Sequence, residues 1–304
     1  MTTAAIETFD AALPHGITLS CRAAGAPDAP LVLFLHGFPE AAFAWDEIVL
    51  TLADRYRCVA PNLRGFERSS APAAVEAYRA KHLVADIAAL AAHCNLAAGR
   101  AADAPLHALV AHDWGGAVAW NFAAQRAPLL RRLVIVNSPH PATFLRELQH
   151  SPAQQAASAY MNYFCRDDAA ERLAVDDFAR LIQALKAGGT GWLTDELAAR
   201  YRDVWRAGVQ GGLNYYRASP LRPPQGADDH ALQALQFPAE AVTVRVPTLV
   251  IWGEGDVALL PSLLDGLDAY VPDMRLVRVA DATHWIVHEQ PALVAREIGR
   301  FLAG

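Results

Sequence analysis

The feature that most constrains this chain is a set of short runs with almost no polar member. Leu31-Val32-Leu33-Phe34-Leu35, Cys58-Val59-Ala60, Leu133 to Val136 and Thr248-Leu249-Val250-Ile251-Trp252 are the clearest, with Leu106 to Ala111 nearly as apolar. A strand with one wet face alternates polar and apolar residues. A run without alternation is buried on both faces, and a sheet of such strands is parallel and covered by helices on each side. Helical patterns separate the runs. Phe43 to Ala53 puts Trp45, Ile48, Val49 and Leu52 on one side, and Tyr78 to Asn95, Gly115 to Gln125 and Ala292 to Leu302 continue the series. The alternation predicts an α/β architecture.

It is interrupted once. From 141 to 245 no segment reads as a strand, only helical stretches broken by Gly188-Gly189 and by Pro220, Pro223 and Pro224. Strands resume at Thr248 and at Met274 to Val279. A helical block between two parts of one sheet reads as a lid, giving a core of residues 1–140 and 246–304 with a cap of residues 141–245. The alternative, a separate helical domain, does not account for the returning strands.

Composition excludes several classes of function. With 304 residues, 53% hydrophobic and 19% charged, the chain is globular and large enough for a sizeable core. A net charge of −6 without a basic stripe speaks against nucleic acid as a partner. Cys21, Cys58, Cys94 and Cys165 are scattered and read as buried, reduced residues rather than a disulfide or zinc framework. Met1 to Gly16 lacks the pattern of a signal peptide, and no apolar run approaches a membrane span. The expectation is a cytoplasmic protein, monomer or homodimer, acting on a small apolar molecule without metal or cofactor.

The chemistry is carried by His112-Asp113-Trp114-Gly115-Gly116, between an apolar run and a helical pattern. This reads as a nucleophile elbow, a tight strand-to-helix turn that exposes one reactive side chain. Here that side chain is a carboxylate, where esterases carry serine. Carboxylate attack on an ester yields only a labile anhydride, whereas attack on an electrophilic sp3 carbon yields an alkyl ester that water can then split. The residue type therefore points to epoxide opening or halide displacement.

Two further polar groups follow predicted strands. Asp256 lies in Trp252-Gly253-Glu254-Gly255-Asp256, and His284 in Ala282-Thr283-His284-Trp285. The order nucleophile, acid, histidine resembles that of the α/β-hydrolase fold. His284 would activate the water and Asp256 would orient its ring, with Glu254 the rival acid. Backbone N–H groups of Trp114 and of Phe38, in His36-Gly37-Phe38-Pro39, would form the oxyanion hole. Tyr160 and Tyr216 lie in the helical block. A phenol can protonate an opening epoxide, whereas a departing halide needs no acid; the plain alternative is that both pack the block's interior. His36 and Pro39 of the turn, with Phe164, Trp192, Trp205 and Leu213 of the block, are expected to line the substrate site.

Other motifs carry less. The loop Arg64 to Pro72 reads as structural support, and Gly188-Gly189-Thr190-Gly191 as a joint rather than a phosphate cradle. His284 and His288 stand at a metal-binding spacing but lack a third ligand.

Taken together, these segments resemble the epoxide hydrolases of the α/β-hydrolase superfamily over nearly the whole chain. His36-Gly37-Phe38-Pro39-Glu40, the elbow, Asn137-Ser138-Pro139-His140-Pro141, Leu213-Asn214-Tyr215-Tyr216-Arg217 and His284-Trp285 carry the resemblance. It implies an α/β-hydrolase fold: a mostly parallel twisted sheet flanked by helices, with an inserted helical cap. It also implies Asp113 as nucleophile, Asp256 and His284 as the charge-relay pair, and Tyr160 and Tyr216 as donors to the epoxide oxygen. Glu67 and Thr283 stand where the family commonly has glycine, as does Ala111. A haloalkane dehalogenase is the nearest alternative, with Trp192 or Trp205 available as halide donor. From another class, a non-catalytic binding protein of the same fold is the third reading.

Overall fold

The computed structural model describes residues 5–187, 189, 191–226 and 229–304. Gly188 and Thr190 of the glycine-rich joint, and the first four residues, lie outside them. The eight strands are β1 (Glu7–Ala12), β2 (Thr18–Ala24), β3 (Leu31–Leu35), β4 (Arg57–Pro61), β5 (Ala108–His112), β6 (Leu133–Val136), β7 (Thr248–Gly253) and β8 (Met274–Val279). They form one sheet in the order β1-β2-β4-β3-β5-β6-β7-β8. From β4 to β8 the pairing is parallel, and β1 and β2 add an antiparallel edge.

Those two edge strands were not evident in the sequence. β1 is mostly exposed and β2 is rich in small residues, so neither shows the continuous apolar signal of a buried parallel strand. The central strands behave as their composition requires. Leu31, Leu33 and Leu35 of β3 enter one core, while Val32 and Phe34 enter the other. The same division holds for Leu109 against Val110 and for Leu133 against Val134. Side chains one residue apart on a strand point to opposite faces, so a fully apolar strand feeds two cores at once.

Helices α1 (Asp46–Leu52), α2 (Ala80–Ala97) and α3 (Asp113–Gln125) follow the early strands. The stretch read as one helix from Phe43 begins as a separate 3-10 turn, Ala42–Trp45. Tyr78 likewise closes a 3-10 turn ahead of α2. Between β6 and β7 come α4 (Pro141–His150), α5 (Pro152–Ala157), α6 (Tyr160–Phe164), α7 (Ala169–Ala174), α8 (Ala179–Leu185), α9 (Asp195–Ala207), α10 (Gln210–Ala218), α11 (Ala231–Ala234) and α12 (Ala239–Val242). Among the described residues this interval holds no strand. Helices α13 (Ile286–Glu289) and α14 (Pro291–Ala303) complete the chain, and α14 packs against α1. No helix among the described residues is long and apolar enough to cross a membrane.

The helical block sits over the carboxyl ends of the strands and is tied there by polar contacts. The Trp205 indole N–H donates to the Pro39 carbonyl at 2.7 Å, and the Tyr215 hydroxyl to the Arg64 carbonyl at 3.0 Å. Arg64 is itself held by two bonds to buried Asp86 on α2, at 2.6 and 2.8 Å. In the same loop Glu67 adopts φ +48°, a conformation glycine takes freely, and its carboxylate accepts from Ser20 and Asn62. Cys21 and Cys58 are buried as expected, but Cys94 and Cys165 are only half-buried.

Candidate active site

β5 ends at His112 and α3 begins at Asp113 without an intervening loop. A turn this abrupt forces Asp113 to φ +48°, a conformation that costs a non-glycine residue about 1–3 kcal/mol. The space for it comes from glycines: a Cβ on Gly115 would stand 2.4 Å from the Leu35 carbonyl oxygen, and one on Gly37 would stand 2.4 Å from Asp113 Cβ. The Ser138 hydroxyl donates to the Asp113 carbonyl at 2.7 Å and braces the turn from β6.

The carboxylate presents two different oxygens. Oδ1 accepts from the Phe38 backbone N–H at 2.8 Å. Oδ2 stands 3.7 Å from His284 Nε2. The Trp114 N–H, expected as the second donor, makes no hydrogen bond to Oδ1. A donor suited to an oxyanion is aimed where the tetrahedral oxygen will be, which differs from the position of the ground-state oxygen.

His284 is held from behind. Its Nδ1 is 2.7 Å from Asp256 Oδ2. Asp256 Oδ1 accepts from the N–H groups of Ala258 and Leu259, and Oδ2 accepts from Asn137 Nδ2 at 2.9 Å. Burial alone would raise Asp256, but His284 and these donors bring it below the ordinary carboxylate value. Glu254, the rival acid, faces outward onto Arg278. For His284, burial works against the charge, yet Asp256, Asp113 and Glu40 together push the ring up to about 9. Its ordinary value of 6.5 applies in the unfolded chain, so this stabilisation is complete below 6.5 and lost as pH rises through 9. The melting temperature should therefore fall between about pH 7 and about pH 10, and His284→Gln should flatten that fall.

A second polar layer was missed. His112 Nδ1 is 2.8 Å from Glu40 Oε2, and its Nε2 is 2.9 Å from the His284 backbone carbonyl. The other Glu40 oxygen is 2.6 Å from His288 Nε2, which is 3.1 Å from the Tyr201 hydroxyl. Burial would raise Glu40, but His112 and His288 hold it well below the ordinary range. This network fixes the backbone on which His284 stands. The signal was a glutamate within the otherwise apolar stretch after His36, but its partners lie far along the chain. Asn137, named in the sequence only as part of the Asn137-to-Pro141 motif, is a buried donor to Asp256. The two histidines at metal-like spacing turn to different carboxylates, His284 to Asp256 and His288 to Glu40.

Over Asp113 lies a cavity of about 370 Å³ whose wall includes Trp114, Tyr160, Tyr215 and Tyr216. The rings of Tyr160 and Tyr216 are 6.1 Å apart and near-perpendicular. Burial, with Asp113 and Asp256 adding to it, raises Tyr160 above the ordinary tyrosine range. Burial, then Tyr160 and Asp113, do the same for Tyr216. Both are neutral donors across the working pH range. Tyr215, one residue away, spends its hydroxyl on Arg64.

None of the six residues expected to line the substrate site forms this wall. His36 is fully buried, its Nδ1 on the Gly37 carbonyl and its Nε2 accepting from Leu63 N–H; burial lowers it to about 4. Pro39 and Trp205 are joined by their own hydrogen bond, and Leu213 is fully buried. Trp192 stacks on His288 at 4.2 Å, and Phe164 packs behind the tyrosines against Phe38 and Tyr216. Apolar character marks burial, but it does not distinguish facing a cavity from facing a neighbouring helix.

Comparison with known proteins agrees with this geometry. The alpha/beta hydrolase fold family matches residues 30–291. The AB hydrolase superfamily protein YfhM of Bacillus subtilis is 33% identical over 293 residues, 95% of each chain. Epoxide hydrolase 3 of Xenopus tropicalis is 31% identical over 291 residues, covering 94% of this chain and 75% of its own length. A crystal structure of Bacillus megaterium epoxide hydrolase in complex with an inhibitor aligns with a TM-score of 0.86 at 31% identity, covering 97% of this chain and all of the other. With the same fold and this level of identity along its length, the chain belongs to the epoxide hydrolases of the α/β-hydrolase superfamily.

Proposed function

We propose that this protein converts an apolar epoxide to a vicinal diol through an ester on Asp113. The observation that carries the reading is a carboxylate and two phenols in the wall of one apolar cavity, with burial holding the phenols above the ordinary tyrosine range. Asp113 Oδ2 attacks a ring carbon in line with the breaking C–O bond, and Tyr160 or Tyr216 gives its proton to the departing oxygen. The product is a hydroxyalkyl ester with Oδ1 as its carbonyl oxygen, already on the Phe38 N–H. Esterification removes the Asp113 charge that helped raise the His284 ring, and in its neutral form His284 then takes a proton from water, which adds to the Asp113 Cγ. The tetrahedral oxyanion is met by Phe38 and Trp114 N–H groups, each donor typically worth about 10²–10³ in rate. Collapse releases the diol oxygen, which takes the proton held on His284, and the second water proton restores the phenol. Asp256 keeps the imidazole in one tautomer and balances its charge. Helices α4 to α12 act as a cap over the reaction, with residues 1–140 and 246–304 as the core. No metal or cofactor takes part, and the protein acts in the cytoplasm as a monomer or homodimer.

The dehalogenase reading loses its support from the helical block. Trp205 spends its indole N–H on Pro39, and neither it nor Trp192 lines the cavity. The non-catalytic reading is disfavoured by the joint presence of nucleophile, histidine and acid, with His284 bonded to Asp256 and 3.7 Å from Asp113.

One turnover in ¹⁸O water with enzyme in excess tests the scheme. Label should appear in the Asp113 carboxylate and not in the first diol formed. Label in that diol, with none in the protein, would rule out the ester.

A further inference from the structure

The cavity over Asp113 is elongated. Its wall includes Asp113, Ala117, Asn121 and Gln125, residues four apart that share one face of α3. Twelve residues of helix rise about 18 Å, so the cavity tracks α3 away from the carboxylate toward the end of the helix. Leu221, Phe237, Ala241 and Val242, from the segment joining α10 to β7, also line it, and α12 packs against α3. The two ends differ in character. Near the catalytic groups the wall includes Met161, next to Tyr160, and Leu259, whose backbone N–H binds Asp256, both buried. At the other end Gln125 and Ala241 are exposed, and the amides of Asn121 and Gln125 replace the apolar lining.

We propose that this channel selects elongated terminal epoxides, whose single unbranched apolar substituent lies along α3 past Ala117 and emerges beside Asn121 and Gln125. The second ring carbon carries only hydrogens and faces the part of the wall formed by buried Met161 and Leu259. Ala117 sets the gauge: its methyl group stands between the nucleophile and the outer end, and a larger side chain on that helix face fills the path. The proposal rests on the epoxide reading above and extends it to the shape of the substrate.

Each methylene that leaves water for an apolar channel should raise kcat/KM about three- to fourfold. Diol formation would be measured for the wild type, Ala117→Phe and Ala241→Trp, with 1,2-epoxybutane, 1,2-epoxydecane and trans-5,6-epoxydecane. The wild type should favour 1,2-epoxydecane over 1,2-epoxybutane by at least about a hundredfold. It should favour 1,2-epoxydecane over its internal isomer by at least about tenfold, the cost of forcing a second chain against a packed wall. Either variant should cut the decane-to-butane ratio at least about tenfold; Ala241→Trp, on an exposed short helix, serves if Ala117→Phe does not fold. A wild type indifferent to chain length or to ring position, or ratios unmoved in both folded variants, would overturn the channel and leave the epoxide reading standing. No diol from any of the three with folded wild type would overturn that reading and this proposal together.

Discussion

Asp113→Ala should reduce diol formation at least about ten-thousandfold and leave no covalent adduct, whereas His284→Gln should be nearly as inactive yet accumulate one. Removing a residue that acts as part of a catalytic unit typically costs about as much as removing the whole unit. The two losses differ in kind. Without Asp113 there is no oxygen to join the ring carbon, so the first step fails. Without His284 the first step proceeds, because a carboxylate needs no base, and the ester then waits for a water that nothing activates. Intact-protein mass spectrometry separates the cases: His284→Gln mixed with substrate should gain the mass of one epoxide per chain. An unmodified, inactive His284→Gln would mean that the imidazole acts before the ester forms, and the order of steps would have to be abandoned.

The second large effect is expected from the phenols. A positioned general acid typically contributes about 10²–10⁴ in rate. Two phenols share this duty, their rings 6.1 Å apart in the wall of one cavity. Tyr160→Phe and Tyr216→Phe should each cost about ten- to a hundredfold, and the double variant about 10³–10⁴-fold. The loss should fall on the burst of ester formation and spare hydrolysis of an ester already formed. Burial holds both phenols above the ordinary tyrosine range, so the wild-type profile should show no alkaline limb from their ionisation near 10. Turnover of a haloalkane that survives the double substitution, with no epoxide opened by the wild type, would restore the dehalogenase reading.

How much was legible beforehand differs from one residue to the next. Asp113, Asp256 and His284 could be grouped because each follows an apolar strand, and loops at the carboxyl ends of parallel strands converge on one edge of the sheet. Tyr216 could be told from Tyr215 only through the family motif, and the reason is visible in space: Tyr215 is tied to Arg64 while Tyr216 lines the cavity. The six proposed lining residues failed for a different reason. Within the helical block each helix buries one stripe, and a stripe facing another helix has the same composition as one facing a void.

Local order therefore came from the sequence: strands buried on both faces, the helices between them, and the turn that presents a carboxylate. Those depend on near neighbours, through the two-residue period of a strand and the tight geometry of the elbow. Only the tertiary structure decided that Glu40 would bind His112 and His288, that Asn137 would serve Asp256, and that the cavity would run along α3. Each of these depends on groups separated by as many as 248 positions, and whether two such groups meet is set by how the layers pack.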